Sequence, residues 1–178
     1  MHIPVEQYQE RIKREFDRLG ISLEVIVQKG LPLYLEAEKL VTGDVGTDGQ
    51  DHLMTPEAAH AWNSMKQAAQ KEQVILEVVS SFRTIERQIA IIQNKLNRNM
   101  PIEQILTLSA PPGYSEHHTG RAIDINTPGC TATEEEFEDT AAFRWLQENA
   151  RNFGFTLSYP RGNALGFIYE PWHWCHQI

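Results

Sequence analysis

Cysteine is scarce: two in 178 residues, Cys130 and Cys175. That number builds no disulfide framework, and both are expected as free thiols. Long apolar runs are missing too, since no uninterrupted stretch approaches the ~20 residues of a membrane-spanning helix. Basic residues are in short supply, 16 Lys and Arg against 24 Asp and Glu, giving a net charge of −8 at pH 7. A partner such as nucleic acid or an anionic membrane surface calls for a basic patch, and no strong Lys/Arg cluster supplies one. The first residues, Met1 through Gln7, lack the basic and apolar regions of a secretory signal. The expectation is a cytoplasmic protein, or a periplasmic one if a leader has been trimmed away.

What remains is ordinary globular material, 41% hydrophobic and 22% charged, of a length that suits one domain with a sizeable core. Val5, Tyr8, Ile12, Phe16 and Leu19 recur at helical spacing and stop at Gly20. Ser22 to Val27 and Leu33 to Glu36 read as a hairpin. Residues 42–52, rich in Gly and Asp, read as a solvated loop, because Asp44, Asp48 and Asp51 do not match the spacing of a calcium-binding loop. Thr55 before Pro56 caps a helix that runs to Lys71. Val74 to Val79 reads as a buried strand that delivers Arg83 at its end, and helices follow from Thr84 and from Pro101. Arg121 to Ile125 alternates as a strand. A helix is expected from about Thr133 or Asp139 through Asn152, followed by strands at Phe155 to Tyr159 and Phe167 to Trp174. This order predicts an α+β fold, a small single domain with a central, mainly antiparallel sheet flanked by helices.

The chemistry concentrates in residues 112–126, where Ser115, His117, His118 and Asp124 fall within ten positions. Imidazole and carboxylate are ordinary ligands of a small divalent cation, and a catalytic zinc site uses three protein ligands plus an open position. A third ligand must come from elsewhere. His173 is available, with Glu170 three residues before it as a carboxylate free to take a proton. Cys175 is a weaker candidate.

Taken together, Ser115-x-His117-x-Thr119-Gly120-x-Ala122-x-Asp124, Glu170-Pro171-Trp172-His173 and Ser81-Phe82-Arg83 closely resemble the VanY-type D-alanyl-D-alanine carboxypeptidases. Those belong to a wider zinc-peptidase group with the LytM endopeptidases and the Hedgehog signalling domain. The similarity covers about residues 55–174, with residues 1–50 as an N-terminal helix and hairpin. The resemblance implies one Zn2+ per chain bound by His117, Asp124 and His173, with Glu170 as catalytic base. Arg83 would hold the substrate's terminal carboxylate or the oxyanion, and Gln88 and Ser115 would make further contacts. It implies removal of the C-terminal D-alanine from peptidoglycan stem peptides or muropeptides. That is an L,D-reaction on a tetrapeptide, as in cell-wall recycling, or a D,D-reaction on a pentapeptide. The alternatives are a phage-lysin-type endopeptidase and a non-catalytic zinc-containing binding domain. No nucleic acid or membrane partner is expected, and the chain is expected to be a monomer.

Two geometric expectations remain. His118, beside His117 on an extended segment, would point away from the metal toward the surface or support the site from behind. Glu170 and His173 are an odd number apart, so a straight strand would send them to opposite faces. They converge only if the chain turns near Pro171.

Overall fold

Residues 4–177 are described by a computed structural model. Helix α1 (Val5–Leu19) buries Tyr8, Ile12, Phe16 and Leu19 and ends where Gly20 takes a left-handed conformation. Where a hairpin was expected stands a second helix, α2 (Leu23–Lys29). The β-branched residues Val25, Ile26 and Val27 favour a strand only weakly, and the local signals win. The Ser22 hydroxyl accepts from the Glu24 N–H at one end, and Gly30 closes the other in the left-handed region. Residues 32–40 then run without regular structure across the motif loop, tied by Tyr34 N–H to Gly113 O and Ala37 N–H to His118 O, both 2.8 Å.

The expected loop at 42–52 is a hairpin, β1 (Val41–Val45) paired antiparallel with β2 (Asp51–Met54). Gly and Asp disfavour strands, but distant partners hold this one down. Asp44 accepts from Trp62 Nε1 and Lys66 Nζ, and Asn63 donates to the Gly43 carbonyl. Those three residues sit on α3 (Pro56–Lys71), capped by Thr55 as the sequence indicates.

A four-stranded antiparallel sheet carries the site. Its strands are β3 (Glu77–Ser80), β4 (Ala122–Asn126), β5 (Phe155–Leu157) and β6 (His173–His176), in the order β3-β4-β6-β5. Helices α4 (Ile85–Asn97) and α5 (Ile102–Leu108) lie between β3 and β4 in the chain. The single helix expected to reach Asn152 is split into a 3-10 turn (Glu135–Asp139), α6 (Ala141–Asn149) and a second 3-10 turn (Ala150–Phe153). Thr140 resets the chain by capping α6 through the Phe143 N–H. The last strand is shorter than expected, because residues 167–172 are irregular and pairing begins at His173.

One hydrophobic cluster packs α3, α6 and the sheet around Trp62, Ile123, Leu146 and Trp174. A second joins α1 to α4 and α5 through Phe16, Ile85, Ile92 and Ile105. The fold is thus α+β with an antiparallel sheet, as the element order predicts. Cys130 and Cys175 are both free thiols, and no helix among the described residues is long and apolar enough to cross a membrane.

Candidate metal centre

Register puts two of the expected ligands side by side. Asp124 on β4 lies directly opposite His173 on β6, so both side chains leave the same face of the sheet. His173 Nδ1 lies 3.0 Å from Asp124 Oδ1. The third comes from the 3-10 turn Glu116–Thr119, which ends at Gly120 with φ of 66°. A side chain at Gly120 would collide with Leu40 and Ala37 of the crossing segment, so this turn needs both the positive φ and the missing Cβ. His117 Nε2 reaches within 3.3 Å of Asp124 Oδ2.

Each imidazole is fixed from behind. His117 Nδ1 lies 2.7 Å from the Ser81 carbonyl, which only accepts, so Nδ1 carries the proton and Nε2 is left for a ligand role. His173 Nε2 lies 2.9 Å from Glu116 Oε2, which turns Nδ1 toward Asp124. Glu116 also accepts from Ser158 Oγ at 2.6 Å and is bonded by the Tyr34 hydroxyl from the N-terminal segment.

Charge balance follows these contacts. Burial works against ionising Asp124, but the two histidines outweigh it and hold the carboxyl far below the usual range. Burial and then Arg83 push His117 down to about 4. Burial also opposes charge on His173, yet the hydrogen bonds to Asp124 and Glu116 raise it to about 10. Burial pushes Glu170 up to about 7. Two imidazole nitrogens and an ionised carboxylate converging in one buried place are the donor types of a metal site, and a cation bound there would take the place of the His173 Nδ1 proton.

The turn expected near Pro171 exists. Residues 170–173 form a tight turn with Pro171 at its second position, closed by the His173 N–H donating to the Glu170 carbonyl at 3.1 Å. Glu170 therefore leaves the chain before pairing begins, and its Oε2 comes within 3.8 Å of His173 Nδ1. Arg83 follows β3, its N–H bonded to the His117 carbonyl. Its guanidinium donates to Gln88 Oε1 at 3.0 Å and Ser80 Oγ at 2.9 Å, and lies 3.6 Å from Asp124 Oδ2. Gln88 in turn donates to the Ala110 carbonyl at 2.7 Å, which fixes its amide. A cavity of about 300 Å3 opens onto this cluster, lined among others by Arg83, Gln88, Ser115 and Glu170.

The seven residues that the resemblance assigns to the site, Arg83, Gln88, Ser115, His117, Asp124, Glu170 and His173, all line this cavity, whereas Cys175, the weaker ligand candidate, is not among the grouped donors. His118 does not go to the surface. It is fully buried, with Nδ1 2.6 Å from the Arg83 carbonyl and Nε2 accepting from the Gly113 N–H. The 3-10 turn, in place of an extended segment, sends the two histidines inward in different directions. Glu116, Ser158, Tyr159 and Lys95 were not anticipated. Glu116 borders the motif, but its partner His173 is 57 positions away, and nothing in a linear reading pairs them.

The donors of His117, Asp124 and His173 all lie within 4.8 Å of one another. A tetrahedral ion with bonds of ~2.0–2.2 Å holds its ligands roughly 3.3–3.6 Å apart. The 3.3 Å contact of His117 Nε2 with Asp124 Oδ2 falls on that scale, and the 3.0 Å contact of His173 Nδ1 with Asp124 Oδ1 lies just below it, at a hydrogen-bond distance.

A family model described as VanY, D-alanyl-D-alanine carboxypeptidase, matches residues 51–177. The chain is 35% identical over 153 residues to the putative carboxypeptidase YodJ of Bacillus subtilis strain 168, covering 82% of this chain and 56% of that protein. Among solved structures it is similar to the LdcB LD-carboxypeptidase, with a TM-score of 0.72 and 34% identity over 82% of this chain and 71% of the other. A zinc-bound mutant of the vancomycin-resistance D,D-pentapeptidase VanY superposes with a TM-score of 0.61 at 30% identity, covering 82% of each chain. The chain spans about half the length of the curated relatives it matches.

Proposed function

Because the chain belongs to the VanY D-alanyl-D-alanine carboxypeptidase family, we propose that it is a zinc metallocarboxypeptidase. Its substrates are peptidoglycan stem peptides or muropeptides, from which it removes the C-terminal D-alanine. One observation carries this reading: a buried His117–Asp124–His173 donor set shares a single cavity with the Glu170 carboxyl and the Arg83 guanidinium. The reading takes the whole chain as one peptidase domain, supported by the N-terminal segment that packs on α4 and reaches Glu116.

His117, Asp124 and His173 would hold one zinc ion, through Nε2 of the first histidine and Nδ1 of the second. Zinc bound there supplies Lewis-acid polarisation of a carbonyl and acidifies water to near neutral pH. The remaining work belongs to the chain. Glu170, at the rim of the donor set, takes a proton from the attacking water and returns it to the leaving amine. Arg83 points its remaining N–H groups at the oxygen that gains charge, held in place by Gln88 and Ser80. Ser115 offers a hydroxyl from the cavity wall. Glu116 and the Ser81 carbonyl keep the two imidazoles in the tautomers that ligation requires.

Mass spectrometry of muropeptides incubated with the zinc-loaded protein tests this. Loss of one alanine from a tetrapeptide alone identifies the L,D-reaction, and loss from a pentapeptide alone the D,D-reaction. If neither peptide changes while one equivalent of zinc is bound, the reading fails. Cleavage inside a cross-bridge would instead mark an endopeptidase.

A further inference from the structure

His118 is buried beside the donor set yet does not line the cavity, and both of its ring nitrogens are taken. Nδ1 lies 2.6 Å from the Arg83 carbonyl, and a carbonyl only accepts, so Nδ1 carries the proton. Nε2 accepts from the Gly113 N–H at 3.1 Å. A neutral imidazole has one donor and one acceptor, and here each has its partner within the protein. Nothing is left over for a metal ion or a substrate group.

The Arg83 end of this bridge bears on the chemistry. Arg83 lies beyond the end of β3 and just before Thr84, which caps α4, so neither element's ladder fixes its peptide groups. The motif turn does. The Arg83 N–H donates to the His117 carbonyl at 3.1 Å, and the Arg83 carbonyl accepts from the imidazole of the next residue in that turn. Consecutive residues of one 3-10 turn therefore grip the arginine's backbone on both sides, and the first of them also gives its imidazole to the donor set. A guanidinium rides at the end of a long side chain, so a small rotation at its base displaces the N–H groups that meet the reacting oxygen. Ser80 and Gln88 hold the tip of this side chain. The turn holds its root.

Resting on the carboxypeptidase reading, we propose that His118 is a positioning residue for Arg83. It touches neither the reacting atoms nor the metal. By holding the Arg83 carbonyl it keeps the guanidinium in register with His117, so that the donor set and the group that stabilises developing charge share one turn. Its second contact, to the Gly113 N–H, aims the ring, and Gly113 is fixed in its turn by the Tyr34 N–H, which donates to its carbonyl at 2.8 Å.

The test compares His118→Leu, which has comparable bulk and no polar atom, with His118→Gln, which carries both an N–H donor and an acceptor. His118→Met repeats the apolar arm should the leucine variant not fold, since its flexible chain adapts to the space. Zinc affinity is read by chelator competition, alanine release by kinetics, and the place of Arg83 by its backbone and guanidinium N–H chemical shifts. The apolar variants should bind zinc as the wild type does, shift the Arg83 signals, and lose about 10–100-fold in kcat with KM little changed. His118→Gln should restore a large part of that loss. In an Arg83→Ala background the apolar change should lower kcat by less than about twofold more, because the group it positions is already gone. The proposal is overturned if the apolar variants leave the Arg83 signals in place, keep wild-type kcat, lose zinc along with turnover, or multiply in full with Arg83→Ala. A protein that releases no alanine, yet whose Arg83 signals move in the apolar variant and return with His118→Gln, upholds the positioning and defeats the carboxypeptidase reading.

Discussion

Asp44 on the hairpin and Asp124 on the central sheet are both tucked against neighbouring elements, and both are held below the usual carboxylate range. They differ in what answers them. For Asp44, burial is outweighed by Lys66 Nζ at 2.5 Å and the Trp62 indole at 2.9 Å. That is a permanent cation and a neutral donor in ordinary geometry, and the charge is closed within the protein. Asp124 has no lysine. Two imidazoles approach it, one held neutral by its surroundings, along with a guanidinium at 3.6 Å shared with other acceptors. Asp44 meets a lysine and an indole and no imidazole, whereas Asp124 faces two imidazole nitrogens at the edge of a cavity, which is the donor chemistry of a metal site.

Substitutions sharpen this contrast. Asp124→Ala should have the largest effect. Metal binding should fall below detection by elemental analysis, alanine release should drop to background, and the stranded charges of His173 and Arg83 should cost about 3–5 kcal/mol in denaturant unfolding. Glu170→Ala should keep one zinc per chain while turnover falls roughly 10²–10⁴-fold, which separates proton transfer from ligation. Glu116→Gln removes the charge behind His173 without removing its bulk. Competition with a chelator should show zinc affinity weakened about 10–100-fold, with the metal-free fold retained by circular dichroism.

Asp44→Asn should leave activity unchanged and lower stability by about 1–2 kcal/mol, on the scale of a charged hydrogen bond. The pH dependence has a definite sign. A depressed carboxylate stabilises the fold above its unfolded pKa, and that increment disappears as pH falls through the folded value. The difference between wild type and Asp44→Asn should therefore shrink on acidification. Equal loss of activity in the Asp44 and Asp124 variants would break the contrast.

Much of this was legible in the sequence where local signals agreed. Helices α3 and α4 begin where Thr55 and Thr84 cap them, because the capping side chain and the amphipathic spacing point the same way. Helix α2 was misread because its β-branched residues said strand while its caps said helix. The hairpin at Asp44 was hidden because its stabilising contacts come from α3, beyond any local window. The same division holds at the site. His117, Asp124, His173 and Glu170 announce their chemistry by type and spacing. Glu116 acquires its role only from what folding places beside it, an imidazole from the far end of the chain.

The central claim is that the Asp124 cluster, and not any other acidic group, holds a catalytic zinc. The most direct measurement strips the protein with a chelator, adds back one equivalent of zinc, and follows alanine release from stem peptides in wild type, Asp44→Asn and Asp124→Ala side by side. The account predicts that release is lost on stripping and restored by zinc in the first two proteins only. Full activity in the stripped protein, or restoration in Asp124→Ala equal to wild type, would contradict it.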